Sequence, residues 1–383
     1  MSEKKLETYG PDLLPAGIRS RFVSVNGLNM HILEAGYETP GRPLVLLLHG
    51  FPELAYSWRR NLLPLAKAGY YVVAPDQRGF GRTEGWERSY QTELHPFGNL
   101  NLVTDLVELA SALGYRRVHA VVGHDCGVQP AAMAALIRPD LFRSVVMMAA
   151  PFPGVAQIPL GREGISPSFQ EDSIHQELAG RKRPRRHYQI YYSSPGADSE
   201  LRNAPQGLRS FFRTYFFCKS ADWKKNRPFR LADWSAEELE KMPSYYIMDL
   251  DKTMAETMEE YTPDLEKQDG CQWLTEQDLD VYSQEYGRTG FQGGLNWYRC
   301  GTGGLNAREA ALFSGKKIEV PSLFIAGMSD WCPFQIPGCL ETMANEGCTD
   351  FHGCQFVEGA GHWVQQEQPD KVNQLLLRFL DGR

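Results

Sequence analysis

The feature that most constrains how this chain can fold is a five-residue motif between an apolar run and a helix-like stretch. Residues 123–127, with the sequence GHDCG, follow the apolar run 118–122 and precede the helix-like stretch 129–138. A strand that turns sharply into a helix strains its central residue, and a side chain two positions away on either side would clash. Glycine at both of those positions therefore predicts a strand–turn–helix unit that lifts Asp125 off the end of a sheet.

A carboxylate at the centre of such a turn has a particular chemistry. The tight turn leaves the backbone N–H of the next residue, Cys126, free to bind an oxyanion. The carboxylate of Asp125 is poorly suited to hydrolysing esters directly, but it can attack an alkyl carbon and form a covalent ester that water later cleaves. Because Gly and Asp also meet in ordinary turns, the motif indicates catalysis only if partner groups occur elsewhere in the chain.

Two such partners follow at the ends of later strands. The apolar run 321–326 leads into a loop that carries Asp330, and the run 355–357 is followed by His362 next to glycine. The order nucleophile, acid, histidine is that of the catalytic triad in the α/β-hydrolase fold. We therefore predict that Asp125 is the nucleophile, His362 the general base and Asp330 the group that orients this base.

A second oxyanion donor is predicted upstream of the motif. The apolar run 44–48 leads into the sequence HGFPE at residues 49–53. In the α/β-hydrolase fold, a strand followed by this pattern places a second oxyanion-hole amide, here that of Phe51, beside the nucleophile. The Phe51–Pro52 bond is a candidate cis peptide, since such bonds occur almost only before proline. Phe51 and Cys126 are therefore the predicted oxyanion hole.

In these motifs the chain resembles the soluble epoxide hydrolases, the branch of the α/β-hydrolases that uses an Asp nucleophile. The matching segments are residues 49–53, 76–81, 123–127, 293–299, Asp330 and residues 361–363. The resemblance implies hydrolysis of an epoxide to a vicinal diol through an aspartyl ester, with no metal and no organic cofactor. The partners that it implies are a small-molecule epoxide and water.

The resemblance also implies two tyrosines in a cap domain that hydrogen-bond the epoxide oxygen. Tyr298, within the sequence GGLNWYR, matches the more specific of the two motifs. Tyr188 matches the other because it stands a few residues before a Pro-Gly pair, and Tyr191 and Tyr192 are near enough to be alternatives. Tyr188 and Tyr298 are therefore the predicted acids that protonate the ring oxygen.

Cys126 is the informative departure from the family. Most members, and the related haloalkane dehalogenases, carry Trp directly after the nucleophile, and in dehalogenases its indole N–H holds the departing halide. Cys126 makes the pocket wall smaller and softer at this point, so the resemblance implies the chemistry but not the substrate. Trp297, Trp331 and Trp363 each adjoin a predicted catalytic residue, and we expect them to contact the substrate together with Pro52.

Three other functions share parts of this pattern. A haloalkane or haloacid dehalogenase would use the same triad but would need halide donors in place of the two tyrosines. A biosynthetic α/β-hydrolase could open an epoxide within a larger natural product with the same residues. A non-catalytic ligand-binding protein would need neither an intact triad nor both tyrosines.

The hydrophobic pattern predicts an α/β fold, with a mainly parallel sheet flanked by helices. Residues 20–36 are predicted to form a hairpin around an Asn-Gly turn. Further strand-like runs occur at residues 44–48, 70–74, 118–122, 143–149, 321–326 and 355–357. We predict an α/β-hydrolase core of residues 1–153 and 301–383, with a helical cap of residues 154–300 inserted after the sixth core strand.

Composition and charge limit the cellular location and the binding partners that we expect for this protein. A chain of 383 residues, of which 42% are hydrophobic, can bury one large core. A net charge of -7 argues against nucleic-acid binding, and the basic run 181–186 is expected to be a solvated loop. The eight cysteines are expected to be free thiols, because no apolar signal segment follows residues 1–5. Without a stretch long enough to span a membrane, we expect a cytoplasmic monomer or homodimer.

Overall fold

The computed structural model describes residues 7–156, 173–267 and 271–382. Residues 1–5, and the part of the predicted cap at residues 157–172, lie outside the described residues. The described strands are β1 (Ile18–Val25), β2 (Leu28–Ala35), β3 (Leu44–Leu48), β4 (Tyr71–Pro75), β5 (Ala120–His124), β6 (Val145–Met148), β7 (Arg185–His187), β8 (Ile247–Asp249), β9 (Ser322–Gly327) and β10 (Phe351–Val357).

Along the chain, the helices alternate with the strands of the sheet and fill most of the long segment between β6 and β9. The described α-helices are α1 (Leu62–Lys67), α2 (Asn99–Ala112), α3 (Val128–Ile137), α4 (Ser173–Ala179), α5 (Tyr188–Tyr192), α6 (Ala197–Arg202), α7 (Leu208–Lys219), α8 (Ala236–Leu239), α9 (Met254–Glu259), α10 (Thr262–Glu266), α11 (Glu276–Thr289), α12 (Gln292–Thr302), α13 (Leu305–Ala310), α14 (Cys339–Thr342), α15 (Val364–Glu367) and α16 (Pro369–Asp381). Across these described ranges, no helix combines the length and the apolar character needed to cross a membrane.

Eight strands form one sheet in the order β1-β2-β4-β3-β5-β6-β9-β10. The pairs β1–β2 and β2–β4 are antiparallel, and the pairs from β4 to β10 are parallel. Every side chain of β3, β4, β5, β6 and β9 is buried, because helices cover both faces of a parallel sheet. These strands therefore appear in the sequence as unbroken apolar runs, and the predicted α/β class is confirmed.

The sequence did not indicate the full extent of strand β10. It spans Phe351–Val357, whereas the apolar pattern predicts only residues 355–357. β10 lies at the edge of the sheet, where only Val357 is fully buried, and its register against β9 shifts between Phe351 and Cys354. An incompletely buried, irregular edge strand has no need of an apolar run, so its first half carries no hydrophobic pattern.

The segment between β6 and β9 contains helices α4 to α13, of which α13 lies beyond the predicted end of the cap at residue 300, together with a small sheet that was not predicted. β7 pairs antiparallel with β8. The expectation of a solvated loop at residues 181–186 is therefore wrong at its end, because Arg185 belongs to β7 and is buried. Arg183 and Arg185 both contact the carboxylate of Asp249 in β8. The proposed cap boundaries at residues 154 and 300 stay a prediction.

Helix α12 packs closely against the loop after β4. A Cβ atom on Gly293 would lie 1.9 Å from the carbonyl oxygen of Gly79, and one on Gly294 would lie 2.6 Å from the ring of Phe51. Gly79 itself has a φ of +94°, a conformation that glycine adopts without strain. The two backbones can therefore touch only because neither residue has a side chain, and this contact fixes the N-terminal end of α12.

The close approach makes the Gly293→Ala variant a direct test of this packing. Its methyl group has no space, so we expect the free energy of unfolding to fall by about 1–3 kcal/mol, as for other overpacked sites. Gly301→Ala is the matched control on the same helix, because open space surrounds its Cβ position. The control should be neutral or stabilising by up to about 1 kcal/mol. Equal urea midpoints for the two variants would contradict the contact.

Candidate active site

The strand–turn–helix unit predicted around Asp125 is present. β5 ends at His124, a short 3-10 turn covers Asp125–Gly127, and α3 begins at Val128. Asp125 has a φ of +51°, which is strained for a residue with a side chain. A Cβ on Gly123 would lie 2.3 Å from the carbonyl oxygen of Gly127, and one on Gly127 would lie 2.4 Å from the carbonyl oxygen of His49, so close packing requires glycine at both flanking positions.

The loop after β3 brings a backbone donor to the nucleophile. The N–H of Phe51 donates to Oδ1 of Asp125 at 3.1 Å, and the Phe51–Pro52 peptide bond is cis, as the sequence predicts. A Cβ on Gly50 would lie 2.4 Å from the Cβ of Asp125, so glycine is needed for the approach. Cys126, whose N–H is the other predicted donor, lies on the wall of the cavity that Asp125 faces.

Asp330 and His362 lie beside this carboxylate. Nδ1 of His362 is 3.2 Å from both carboxylate oxygens of Asp330, and Nε2 is 3.4 Å from Oδ2 of Asp125. The side chains of Asp330 and His362 are each 1% exposed. The loop ends of β5 and β9 and the segment after β10 thus bring the three residues together in the arrangement that the sequence predicts.

Neighbouring charges determine the protonation states of Asp125 and His362. Burial alone would lower the pKa of His362, but the negative charge of Asp330 and the hydrogen bond to Asp125 outweigh it and raise the pKa to about 9. Burial alone would raise the pKa of Asp125, but the hydrogen bond and charge of His362 bring it well below its usual range. In the resting protein the two residues therefore form a buried carboxylate–imidazolium pair.

The sequence analysis missed a cation beside this pair. Lys219, at the end of α7, is buried, and its backbone carbonyl accepts the N–H of His362 at 2.9 Å. Its ammonium lies within 5.0–5.9 Å of five aromatic ring centres, those of Tyr188, Tyr215, Tyr245, Tyr246 and Trp363. The charge of Lys219 lowers the pKa of both Asp125 and His362. A single lysine in an aromatic helix has no sequence pattern that indicates such a place.

The buried side chain of Glu53 connects the turn at Asp125 to the loop that carries His362. Nδ1 of His124 is 2.5 Å from a carboxylate oxygen of Glu53, and Nε2 of His124 is 2.8 Å from the carbonyl oxygen of His362. The amides of Gln365 and Gln366 both donate to the other oxygen of Glu53 at 3.0 Å. His124 therefore fixes the backbone of His362, and its side chain points away from the cavity.

Asp125 opens onto a cavity of ≈ 510 Å³ that both predicted tyrosines line. The ring centres of Tyr188 and Tyr298 are 6.0 Å apart. Tyr191 and Tyr192 do not line this cavity, and the hydroxyl of Tyr192 donates to that of Tyr215. Of the three candidates for the first tyrosine, the structure therefore brings only Tyr188 to the nucleophile.

The two phenols are in the protonated form that an acid requires. Burial, followed by the negative charge of Asp125, raises the pKa of both Tyr188 and Tyr298 well above its usual value. The hydroxyl of Tyr188 accepts from the amide of Gln189 at 3.3 Å, and Gln335 lies at the longer distance of 3.5 Å. Gln335 also lines the cavity, and the sequence did not indicate it.

The residues expected to contact substrate divide into two groups. Trp297 lines the cavity, and its indole N–H donates to the carbonyl oxygen of Arg78 at 3.0 Å. Pro52, Trp331 and Trp363 are buried outside the cavity wall, which corrects their predicted placement. Side chains adjacent in sequence diverge, so the neighbour of a catalytic residue need not face the substrate.

The ion pair predicts how the pKa of His362 responds to loss of the nucleophile. Asp125→Ala removes the anion 3.4 Å from Nε2, so the imidazolium loses stabilisation and its pKa should fall by about 1–3 pH units from about 9. Asp140→Ala, which removes an exposed carboxylate paired with Arg138, is the control and should leave the pKa unchanged. The measurement is an NMR titration of the histidine rings. An unchanged pKa in Asp125→Ala would contradict the pair.

Comparisons with known proteins agree with this geometry. Residues 43–369 match the family model described as alpha/beta hydrolase fold. "Epoxide hydrolase A" of Mycobacterium tuberculosis is 34% identical over 366 residues, covering 94% of this chain and 97% of that protein. "Epoxide hydrolase 3" of Siraitia grosvenorii is 30% identical over 364 residues, with 94% and 97% covered.

Solved structures give the same result. An epoxide hydrolase from an endophytic Streptomyces superposes with a TM-score of 0.73 at 30% identity, covering 96% of this chain and 96% of that chain. Potato (Solanum tuberosum) epoxide hydrolase I superposes with a TM-score of 0.69 at 30% identity, covering 96% and 100%. Sequence and fold agree over almost the whole chain, and the protein belongs to the epoxide hydrolase family of the α/β-hydrolases.

Proposed function

We propose that the protein hydrolyses an epoxide to a vicinal diol through a covalent ester on Asp125. One observation carries the proposal: the carboxylate of Asp125 lines a single cavity together with two protonated phenols, the buried Tyr188 and the partly buried Tyr298. A carboxylate nucleophile supplies attack on carbon, and two acids above it supply protonation of an oxygen that would otherwise leave as an alkoxide. The activity of the named relatives supports the same reaction.

Ring opening is the first half-reaction. Oδ1 of Asp125 is held by the N–H of Phe51, so the other oxygen, Oδ2, is the one that attacks the epoxide carbon. The new bond joins Oδ2 to carbon, and the carbon–oxygen bond of the ring breaks. Tyr188 and Tyr298 hydrogen-bond the ring oxygen, and one of them gives it a proton as it becomes a hydroxyl.

Ester formation changes the charge beside the base. The ester on Asp125 is neutral, so His362 loses one of the two anions that hold it in the imidazolium form. The ammonium of Lys219 continues to oppose the positive charge on the ring. We infer that the pKa of His362 falls in the intermediate, so the ring gives its Nε2 proton to the phenolate that ring opening leaves. Nε2 can then take a proton from water while Asp330 holds Nδ1.

Hydrolysis of the ester completes the cycle. The activated water adds to the carbonyl carbon of the Asp125 ester, and the oxyanion that forms on Oδ1 is held by the backbone N–H groups of Phe51 and Cys126. Collapse breaks the bond between this carbon and Oδ2, which leaves with the product and takes a proton. The diol thus carries one oxygen from the epoxide and one from Asp125, and water replaces the lost carboxylate oxygen.

The dehalogenase alternative receives less support from the cavity. A halide needs N–H donors, yet Cys126 stands where dehalogenases carry Trp. The indole N–H of Trp297, the tryptophan beside Tyr298 on the wall, already donates to the backbone of Arg78. The hydroxyls of Tyr188 and Tyr298 suit protonation of an oxygen atom, which a departing halide does not require.

The two phenols give the proposed function a specific test. The native protein should convert a terminal epoxide into its diol, followed by mass spectrometry, and release no halide from haloalkanes. Tyr188→Phe and Tyr298→Phe should each slow formation of the ester by a factor of about 10² or more, as for loss of a positioned acid. The two effects should be non-additive, because both phenols act on one oxygen.

The neighbouring tyrosine provides the control for this experiment. Tyr191→Phe removes a buried hydroxyl from the same helix, but the cavity wall does not include it, so ester formation should be close to native. A silent Tyr188→Phe together with a slow Tyr191→Phe would contradict the assignment of the first acid. Halide release without diol formation would contradict the function itself.

A further inference from the structure

Three carboxamide side chains on the cavity wall have no part in the proposed chemistry. They are Asn99 in the first turn of α2, Gln129 in the first turn of α3 and Asn306 in the first turn of α13. α2 packs against both α3 and α13, so the three first turns belong to neighbouring parts of the wall. We call these three residues the amide cluster.

The amide of Asn99 is buried and has no partner. The residue is 7% exposed and lines the cavity, and no described residue forms a hydrogen bond with its carboxamide. Its backbone is engaged, because its N–H donates to Oδ1 of Asn306 at 3.1 Å. A carboxamide has two N–H donors and one oxygen acceptor, and a buried group that leaves them unpaired is costly. The cavity is therefore where this amide finds its partner.

Gln129 and Asn306 extend the same polar surface. Gln129 is half-buried, and within the described chain its side chain forms no hydrogen bond. The oxygen of Asn306 is taken by the N–H of Asn99, which leaves its amide N–H groups to donate. The amide cluster thus offers both donors and acceptors to a molecule in the cavity.

The amide cluster begins close to the nucleophile. Gln129 follows Asp125 by four residues, and one helical turn rises about 5.4 Å. Cys126 is the other wall residue in this stretch, and its side chain is small. A group attached to the epoxide can therefore reach the amide cluster while the ring carbon lies at Asp125.

The chemistry of the wall favours a neutral polar group. Asp125 is the one Asp, Glu, Lys or Arg residue that the described part of the wall contains, so an anionic group meets no Lys or Arg there and is repelled by the carboxylate. A hydrocarbon group would displace water from the amides without replacing its hydrogen bonds. A hydroxyl both donates and accepts, as a carboxamide does.

We propose that the amide cluster is a specificity site for a hydroxyl of the substrate, so that the preferred substrate is a neutral epoxide with a hydroxyl a few bonds from the ring. This inference rests on the proposed hydrolysis of an epoxide at Asp125. The cavity of ≈ 510 Å³ has space for such a substituent, since cavities of about 300–1,000 Å³ take drug-sized ligands.

A matched series of terminal epoxides tests the proposal. Each probe carries a hydroxyl at a stated distance from the ring, and it is compared with the hydrocarbon epoxide of the same length and with the carboxylate analogue. At the best spacing, kcat/KM for the hydroxylated probe should exceed that for the hydrocarbon by about tenfold or more, because the hydrocarbon leaves buried amides unpaired. Equal values at every spacing, or a higher value for the carboxylate, would overturn the proposal.

Variants of the amide cluster locate the preference. Asn99→Leu and Gln129→Met each remove an amide and keep a side chain of similar size, so the ratio of the two kcat/KM values should fall about fivefold or more. Asn101→Leu is the matched control on α2, because the amide of Asn101 donates to the carbonyl oxygen of Pro96 and lies outside the cavity wall. The control should keep the native ratio. A native ratio in Asn99→Leu and Gln129→Met would overturn the amide cluster.

Binding separates this inference from the proposed function. Asp125→Ala cannot form the ester, so calorimetry on this variant compares the affinities for the hydroxylated and hydrocarbon probes without turnover. Binding of the hydroxylated probe that is tighter by about tenfold would support the amide cluster even if the native protein formed no diol. Diol formation without any preference for the hydroxylated probe would contradict the amide cluster alone.

Discussion

The candidate site depends on the pairing of the buried Asp125 carboxylate with His362. A carboxylate removed from water keeps its charge only if nearby groups compensate the lost hydration. Here the imidazolium does so at 3.4 Å, the N–H of Phe51 at 3.1 Å, and Lys219 adds a further positive charge. Asp330 in turn stabilises the imidazolium. Removal of any one charge therefore changes the protonation of the others, and the proposed change of His362 from counter-ion to base on ester formation rests on this coupling.

Much of this arrangement was predictable because constraints on the backbone require particular residue types at particular positions in the sequence. Gly123 and Gly127 are required by a turn with no room for a Cβ, and they identify Asp125. Buried parallel strands must be apolar on both faces, so the runs before Asp330 and in the sheet predicted both the fold and the strand ends that carry the proposed triad. The Pro-Gly spacing placed Tyr188 correctly in the cavity, where the structure also has Tyr298.

The remaining features depend on packing between distant segments, for which a single sequence has no local pattern. Lys219 lies near the Asp125–His362 pair only because α7 packs against rings from several other segments, among them Tyr188, Tyr246 and Trp363. Cys332 is an ordinary apolar-loop cysteine until the fold places it beside Asp125 and His362. Trp363 follows the base in sequence, yet its indole N–H donates to the carbonyl oxygen of Phe216, away from the cavity. Adjacency in sequence therefore did not predict which side chains face the cavity.

The origin of the oxygen atoms tests the central claim, covalent catalysis by Asp125, most directly. A single turnover is run with enzyme in excess over epoxide in heavy-oxygen water, and the diol and the peptide that carries Asp125 are weighed by mass spectrometry. If Asp125 attacks the epoxide, the diol takes its second oxygen from the unlabelled carboxylate, and the label appears in Asp125. A diol fully labelled in the first turnover, with Asp125 unlabelled, would mean that water attacks the epoxide directly and would contradict the account.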